Sequence, residues 1–151
     1  MILEFSDWIF NIDTDATAQY YFEESSDRCE CGFCRNFYAT VDMFYPDLRF
    51  FLKKFSIDSG IPEMLLPFRS TLYQASYYTF GKILRYGSGP ILVNGVTVTV
   101  EEGEEPDSIL LHIGLMELPW ILEEDPSEER TPGTVRDFFT GLNGQSSNTL
   151  S

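Results

Sequence analysis

The strongest hydrophobic pattern in the chain steps by three or four residues over positions 33–55. Its apolar members are Phe33, Phe37, Val41, Phe44, Leu48, Phe51, Leu52 and Phe55. This spacing predicts an amphipathic helix with one apolar face. Pro46 lies inside the pattern, and a proline removes a backbone donor and disfavours helix at the residue before it. We therefore predict either one kinked helix or two helices, over 33–44 and 46–55.

Beyond residue 71 the pattern changes to one that is typical of strands. The predicted strands cover residues 72–86, 91–93, 96–100 and 108–113. Gly81 predicts a bend in the first of them. Asn94-Gly95 predicts a two-residue hairpin turn, because both residues accept a positive φ.

The two ends of the chain carry weaker signals. Near the amino end we predict strands over 2–9 and 19–23, with turn-like residues 11–17 between them. Near the carboxyl end we predict a short helix over 135–142 and a flexible tail over 144–151.

These elements together predict an α+β fold. The central amphipathic helix, or the two helices broken at Pro46, would pack on a mainly antiparallel sheet. A chain of 151 residues is long enough for one domain with its own core. We predict that this single domain covers residues 1–143.

Charge narrows the range of partners. The chain has 24 acidic and 10 basic residues, a net charge of −14, and no Lys or Arg between Arg85 and Arg130. This balance argues against nucleic acid and against an anionic membrane surface, and it permits a basic protein partner. No signal peptide or membrane-spanning segment is visible, so we predict a cytoplasmic location, where thiols stay reduced.

All three cysteines of the chain lie within six residues, at Cys29, Cys31 and Cys34. Thiolates at this spacing can bind one zinc ion. A closed zinc site needs a fourth ligand, for which His112 is a distant candidate and Asp27 and Glu30 are local ones. A water molecule in that position would make the site open.

Two other interpretations of the cysteines stay open. Cys31 and Cys34 have the spacing of a dithiol redox motif, and a helix beginning near Phe33 would lower a neighbouring thiol pKa. Alternatively, Cys34 is simply buried on the apolar face of the helix, as free cysteines often are.

His112 is the only histidine of the chain. It is a candidate ligand or base, but no Ser/His/Asp constellation is visible around it in the sequence. We therefore favour a half-exposed strand residue without a catalytic role.

Residues 29–37 spell Cys-x-Cys-x-x-Cys-x-Asn-Phe, and Pro46, Phe51-Leu52, Phe55-Ser56-Ile57-Asp58 and Glu63 follow. This combination resembles a family of small bacterial proteins of unknown function, over about residues 20–85. The resemblance implies a compact bacterial domain and no particular activity.

The sequence thus predicts a non-enzymatic, acidic binding protein with a structural zinc site at Cys29–Cys34. One alternative is a thiol-redox or metal-dependent enzyme that uses Cys31 and Cys34. Another is an inhibitor or immunity-type protein that binds a basic partner.

Overall fold

The computed structural model describes residues 1–126. The predicted helix over 135–142 and the predicted tail over 144–151 lie outside these residues. Three helices are present among them: α1 (Thr14–Glu24), α2 (Gly32–Phe44) and α3 (Pro46–Lys54). The strands are β1 (Ile2–Phe5), β2 (Trp8–Ile12), β3 (Met64–Arg69), β4 (Leu72–Arg85), β5 (Ile91–Val93), β6 (Val96–Glu102) and β7 (Ser108–Glu117).

The seven described strands form one antiparallel sheet. The strand order is β1-β2-β4-β7-β6-β5, and β3 pairs with the first half of β4. The long strand β4 is therefore the centre of the fold. Beyond Gly81, where φ is +147°, it leaves β7 and pairs with β2.

The helices cover one face of this sheet. The odd-numbered side chains of β4 from Tyr73 to Thr79 are buried against the helices. Phe37 of α2 lies with its ring centre 5.9 Å from that of Tyr73, and Phe55 accepts a hydrogen bond from Thr79 through its carbonyl oxygen. The even-numbered side chains of β4 lie on the opposite face, which we call the open face.

The fold class is the predicted one, α+β with an antiparallel sheet. Of the two alternatives predicted at Pro46, the structure has the two helices, because α2 ends at Phe44 and Pro46 begins α3. The predicted Asn94-Gly95 turn is present, with φ values of +51° and +79° at its two residues. Within the described residues, no helix has the length and apolar character needed to cross a membrane.

Three predictions near the amino end are wrong. Residues 11–17 are not a turn, because Asn11 and Ile12 end β2 and Thr14 begins α1. Residues 19–23 belong to helix α1, because the Asp13 side chain caps the helix by accepting from the Ala16 N–H at 3.0 Å. Thr17 and Tyr21 then bury one face of that helix at a spacing of four, which outweighs the strand preference of the local aromatic residues. The strand predicted over 2–9 is a hairpin that turns at Ser6, where φ is +56°.

The sequence also missed strand β3. Pro67 lies within it, and a proline normally argues against a strand. The strand tolerates Pro67 because, among the described strands, β3 pairs with β4 alone and lies at an edge.

Candidate metal centre

The three cysteines converge at the entry to α2. Their Sγ atoms all lie within 4.8 Å of one another, and no disulfide joins them. We call Cys29, Cys31 and Cys34 the cysteine centre. Cys29 is exposed, and the other two are partly buried.

The start of helix α2 brings these sulfur atoms together. Cys31 is the N-cap residue, with extended backbone, and its Sγ accepts a hydrogen bond from the Cys34 N–H at 3.5 Å. The Cys31 N–H in turn donates to Cys29 Sγ at 3.4 Å. Backbone donors that are left over at a helix N-terminus are therefore directed at two of the three sulfurs.

The surroundings hold the centre in place from both sides. Phe33 is buried and packs edge-to-face on Trp120, which anchors the first turn of α2 to the chain beyond β7. Tyr38 donates its hydroxyl hydrogen to the carbonyl oxygen of Cys29 at 2.8 Å, and the Arg28 guanidinium lies 4.2 Å from the Tyr38 ring centre.

The hydrogen bond between Cys34 and Cys31 gives these two thiols very different pKa values. The hydrogen bond from the Cys34 thiol lowers the pKa of Cys31 to about 5, against the effect of burial and with help from the Cys34 backbone N–H. The pKa of Cys34 is raised, first by that same hydrogen bond and then by burial. In the metal-free protein Cys31 is therefore the thiolate of the pair, and Cys34 holds the proton.

The three thiols are the only cluster of their kind in residues 1–126. No other three His, Cys, Asp or Glu side chains there bring their ligand atoms so close together. The local candidates Asp27 and Glu30 are not members of this cluster. The cysteine centre therefore offers three sulfur atoms, and a fourth ligand to any metal ion held there would have to come from outside the cluster.

His112 also lies apart from the cysteine centre. Its ring bonds at Nδ1 with Ser76 Oγ, at 2.9 Å, and at Nε2 with Glu101 Oε2, at 2.5 Å. The prediction that His112 is a half-exposed residue of a strand is confirmed, since it lies in β7 with 39% of its side chain exposed.

The sequence did not indicate this second group, in which a serine contacts the histidine. Ser76, His112 and Glu101, which we call the histidine triad, come from three different strands. Only the register of the sheet brings them together, with Ser76 opposite His112. These residues could have been recognised as a group only if the pairing of the strands had been known beforehand.

Comparisons with known proteins add no assignment: no protein-family description, no curated protein and no solved structure matches the chain. The resemblance to a family of small bacterial proteins therefore stays a prediction.

Proposed function

We propose that this chain is a zinc-binding interaction protein, in which one zinc ion joins the irregular segment before α2 to the first turn of that helix. The observation that carries the proposal is the convergence of three Sγ atoms within 4.8 Å. The metal's role at this position is structural, and the acidic surface supplies the binding.

The spacing of the sulfur atoms suits a zinc ion. Zinc binds thiolate sulfur at about 2.3 Å in a tetrahedral arrangement, which places neighbouring sulfurs about 3.8 Å apart. The cysteine centre reaches that spacing if its most distant sulfurs, within 4.8 Å of each other, approach by about 1 Å. Donors that point at metal-bound sulfur orient the ligand, and the backbone N–H groups of Cys31 and Cys34 already do so.

A fourth ligand of the ion would approach from the solvent side. Cys29 is the exposed member of the centre, so a water molecule or a side chain of a partner reaches the ion from there. Three thiolates around Zn²⁺ carry a net charge of −1. The Arg28 guanidinium, which stacks on Tyr38 beside Cys29, partly offsets that charge.

The proposed partner is a basic protein surface. The net charge of −14 favours it, and so does the exposed β6–β7 connection, which carries Glu104, Glu105 and Asp107. Lys82 pairs with Asp107 at 3.1 Å, and the two glutamates remain for a cationic partner. Attraction of this kind raises the association rate and weakens as salt is added.

A second candidate function is thiol–disulfide exchange at the same residues. It is favoured by the lowered pKa of Cys31 at a helix N-terminus, with Cys34 one turn further on as the second thiol. In that reaction two thiols are oxidised to a Cys31–Cys34 disulfide while a disulfide of the partner is reduced to two thiols.

Metal content per chain tests the zinc proposal. We expect the protein purified without metal-affinity steps to contain about one zinc per chain by mass spectrometry, with its thiols protected from alkylation. Cys29→Ser, Cys31→Ser and Cys34→Ser should each lower the zinc content, and Ser26→Ala in the same connection should not. A protein that takes up no zinc, with three freely reacting thiols, contradicts the proposal.

The same preparation separates the two functions. If metal is missing and a small disulfide such as oxidised glutathione converts Cys31 and Cys34 to a disulfide, the redox function is the correct one.

A separate experiment tests the partner. Binding to a basic protein probe should weaken from low to high salt and weaken further in Glu104→Gln/Glu105→Gln. Binding that is unaffected by both changes rules out the charge-driven interaction.

A further inference from the structure

The open face of the sheet carries a serine, a histidine and a carboxylate in one hydrogen-bonded chain. Ser76 Oγ lies 2.9 Å from His112 Nδ1, and His112 Nε2 lies 2.5 Å from Glu101 Oε2. These contacts match the two links that define a nucleophile, its general base and the group that orients the base. The ring is turned relative to the usual serine-protease arrangement, with Nδ1 facing the serine.

The carboxylate determines which ring nitrogen is the base. An ionised carboxylate only accepts hydrogen bonds, so Nε2 of a neutral His112 carries the hydrogen and donates it to Glu101. Nδ1 is then left with its lone pair, and the Ser76 hydroxyl donates to it. This is the state in which the imidazole can take the serine proton.

A cavity of about 360 Å³ adjoins Ser76 and His112 on this face. Met64 and Leu66 of β3 supply an apolar wall, and Gln74 of β4 lines the cavity two residues before Ser76. Residues two apart on a strand point to the same face, so the Gln74 amide and the Ser76 hydroxyl face the same space. A polar nucleophile, an amide donor and an apolar wall therefore share one cleft.

We propose that the histidine triad is a nucleophilic site that hydrolyses small carboxylic esters with a short apolar acyl group. Ser76 is the nucleophile, and His112 is the base. Glu101 is a positioning residue that holds the ring and stabilises its protonated form. This activity goes beyond the binding function proposed above and needs neither the metal nor the cysteines.

The reaction proceeds in two balanced steps. Ser76 Oγ forms a bond to the ester carbonyl carbon, its proton passes to His112 Nδ1, and the bond from that carbon to the alcohol oxygen breaks as His112 returns the proton to the leaving alcohol. Water then gives a proton to His112 Nδ1 while its oxygen bonds to the acyl carbon. The bond to Ser76 Oγ breaks, and Oγ regains the proton from His112.

The Gln74 side chain is the donor available for the negative charge that develops on the carbonyl oxygen. Side-chain amides serve this purpose in known hydrolytic sites. The apolar wall of Met64 and Leu66 then receives the acyl chain, which limits the substrate to what a cleft of about 360 Å³ accommodates.

A fluorophosphonate probe, which attaches covalently to activated serines, tests the proposal on the full chain. We expect a single label, which peptide mapping places on Ser76, and slow release of p-nitrophenol from p-nitrophenyl acetate. Ser76→Ala should abolish labelling, and His112→Gln should lower its rate by about 100-fold. Ser26→Ala, a change at an exposed serine in the α1–α2 connection, should leave it unchanged.

Glu101→Gln separates positioning from a merely structural role. Glutamine keeps a hydrogen bond to the ring but removes the charge that stabilises its protonated form. We expect a lower kcat with an unchanged KM, whereas a structural role would change only the thermal unfolding temperature. Labelling of the folded protein should persist when the metal is chelated.

Peptide mapping of the label on the wild-type protein tests the proposal even if a variant does not fold. Failure of the wild-type protein to react, or a label on another serine, overturns the proposal. So does labelling of folded Ser76→Ala at the wild-type rate. Labelling that disappears when the metal is chelated, while the protein remains folded, assigns the reaction to the cysteine centre and also overturns the proposal.

Discussion

The cysteine centre and the histidine triad gather their reactive groups by different means. In the cysteine centre the ligands are neighbours in sequence, and one helix N-terminus turns them towards each other through two N–H···S hydrogen bonds. In the histidine triad, residues 76, 101 and 112 come from three strands, and the register of the sheet sets their separation. A local conformation is enough for the first, whereas the second requires the whole sheet.

This difference determines what can damage each region. A shift of one residue between β4 and β7 would turn Ser76 and His112 to opposite faces, because side chains alternate along a strand. The cysteine centre would keep its contacts, since none of them crosses the sheet. Each region therefore has perturbations that should leave the other intact.

Metal removal should produce the largest difference between the two regions. If free zinc is present at about 1,000 times its Kd, removing it lowers the free energy of unfolding by about 4 kcal/mol. Urea denaturation with and without a chelator measures this loss, and the Cys29→Ser/Cys31→Ser/Cys34→Ser variant should show no response to the chelator. Equal stability of the unaltered protein in both conditions would contradict a structural metal. Ser76 labelling of the folded protein should not change.

The acidity of Cys31 gives a second test, carried out on the metal-free protein. Its pKa is about 5 where an ordinary cysteine has 9.0, so its alkylation rate should rise through a midpoint near pH 5, and Cys34 should stay protected above pH 9.

The same pKa values make the stability of the fold depend on pH. The depressed pKa of Cys31 stabilises the fold fully above pH 9 and ceases to do so as the pH falls towards 5. The raised pKa of Cys34 acts in the opposite sense, so stability declines again above pH 9.

Mass-resolved alkylation assigns each rate to its residue, and Cys34→Ala, which removes the side-chain donor, is the matched variant. Because the hydrogen bond from Cys34 is the main cause of the low pKa, this variant should move the Cys31 midpoint upwards. A midpoint that stays near 5 would show that the helix terminus, and not the neighbouring thiol, is responsible.

Much of the fold could be predicted where local signals agree with the tertiary structure. The helices on either side of Pro46 and the Asn94-Gly95 turn follow from spacing and from backbone chemistry that acts over a few residues. Helix α1 could not be predicted in the same way. Its Tyr20-Tyr21-Phe22 segment favours a strand locally, and the helix forms because Asp13 caps it and the sheet buries Tyr21.

The same reasoning explains the two candidate sites. The cysteine centre was visible as three thiols in six residues, although the sequence left open whether Asp27, Glu30, His112 or a water molecule would be the fourth ligand of a metal. The histidine triad was invisible because 36 residues separate Ser76 from His112. Its identification required the pairing of β4 with β7, which no local pattern encodes.

The third test uses Asn36, a residue of α2 whose side chain is fully buried. It attaches this helix to the sheet that also carries the histidine triad. Its amide group donates to the Tyr73 hydroxyl at 3.1 Å and to the Pro119 carbonyl at 2.9 Å, and its Oδ1 accepts from the Ile121 N–H at 2.9 Å. Asn36→Ala leaves the Pro119 carbonyl and the Ile121 N–H without this partner, while the Tyr73 hydroxyl still donates to the Ser70 carbonyl. The change should cost about 2 kcal/mol of unfolding free energy. Gln19→Ala, at an exposed amide, should cost much less.

Asn36→Ala should also weaken zinc binding, because the first turn of α2 loses its attachment to β4 and to the chain after β7. Isothermal titration with zinc measures that change, and fluorophosphonate labelling of Ser76 in the folded fraction should stay at the wild-type rate. If labelling falls as much as zinc affinity does, the two regions are not independent and the comparison fails.

The smallest expected effect is at Gly114, on the floor of the cleft beside the histidine triad. A Cβ at this position would lie 2.6 Å from Thr97 Oγ1, so Gly114→Ala forces Thr97 to move and should cost about 1 kcal/mol. Because the added methyl group also narrows the cleft, Ser76 labelling should slow while zinc content stays the same. Gly89→Ala is the matched control, since a Cβ there meets nothing within 4 Å. If both alanine variants label at the wild-type rate, the substrate does not occupy this cleft, even if Ser76 is reactive.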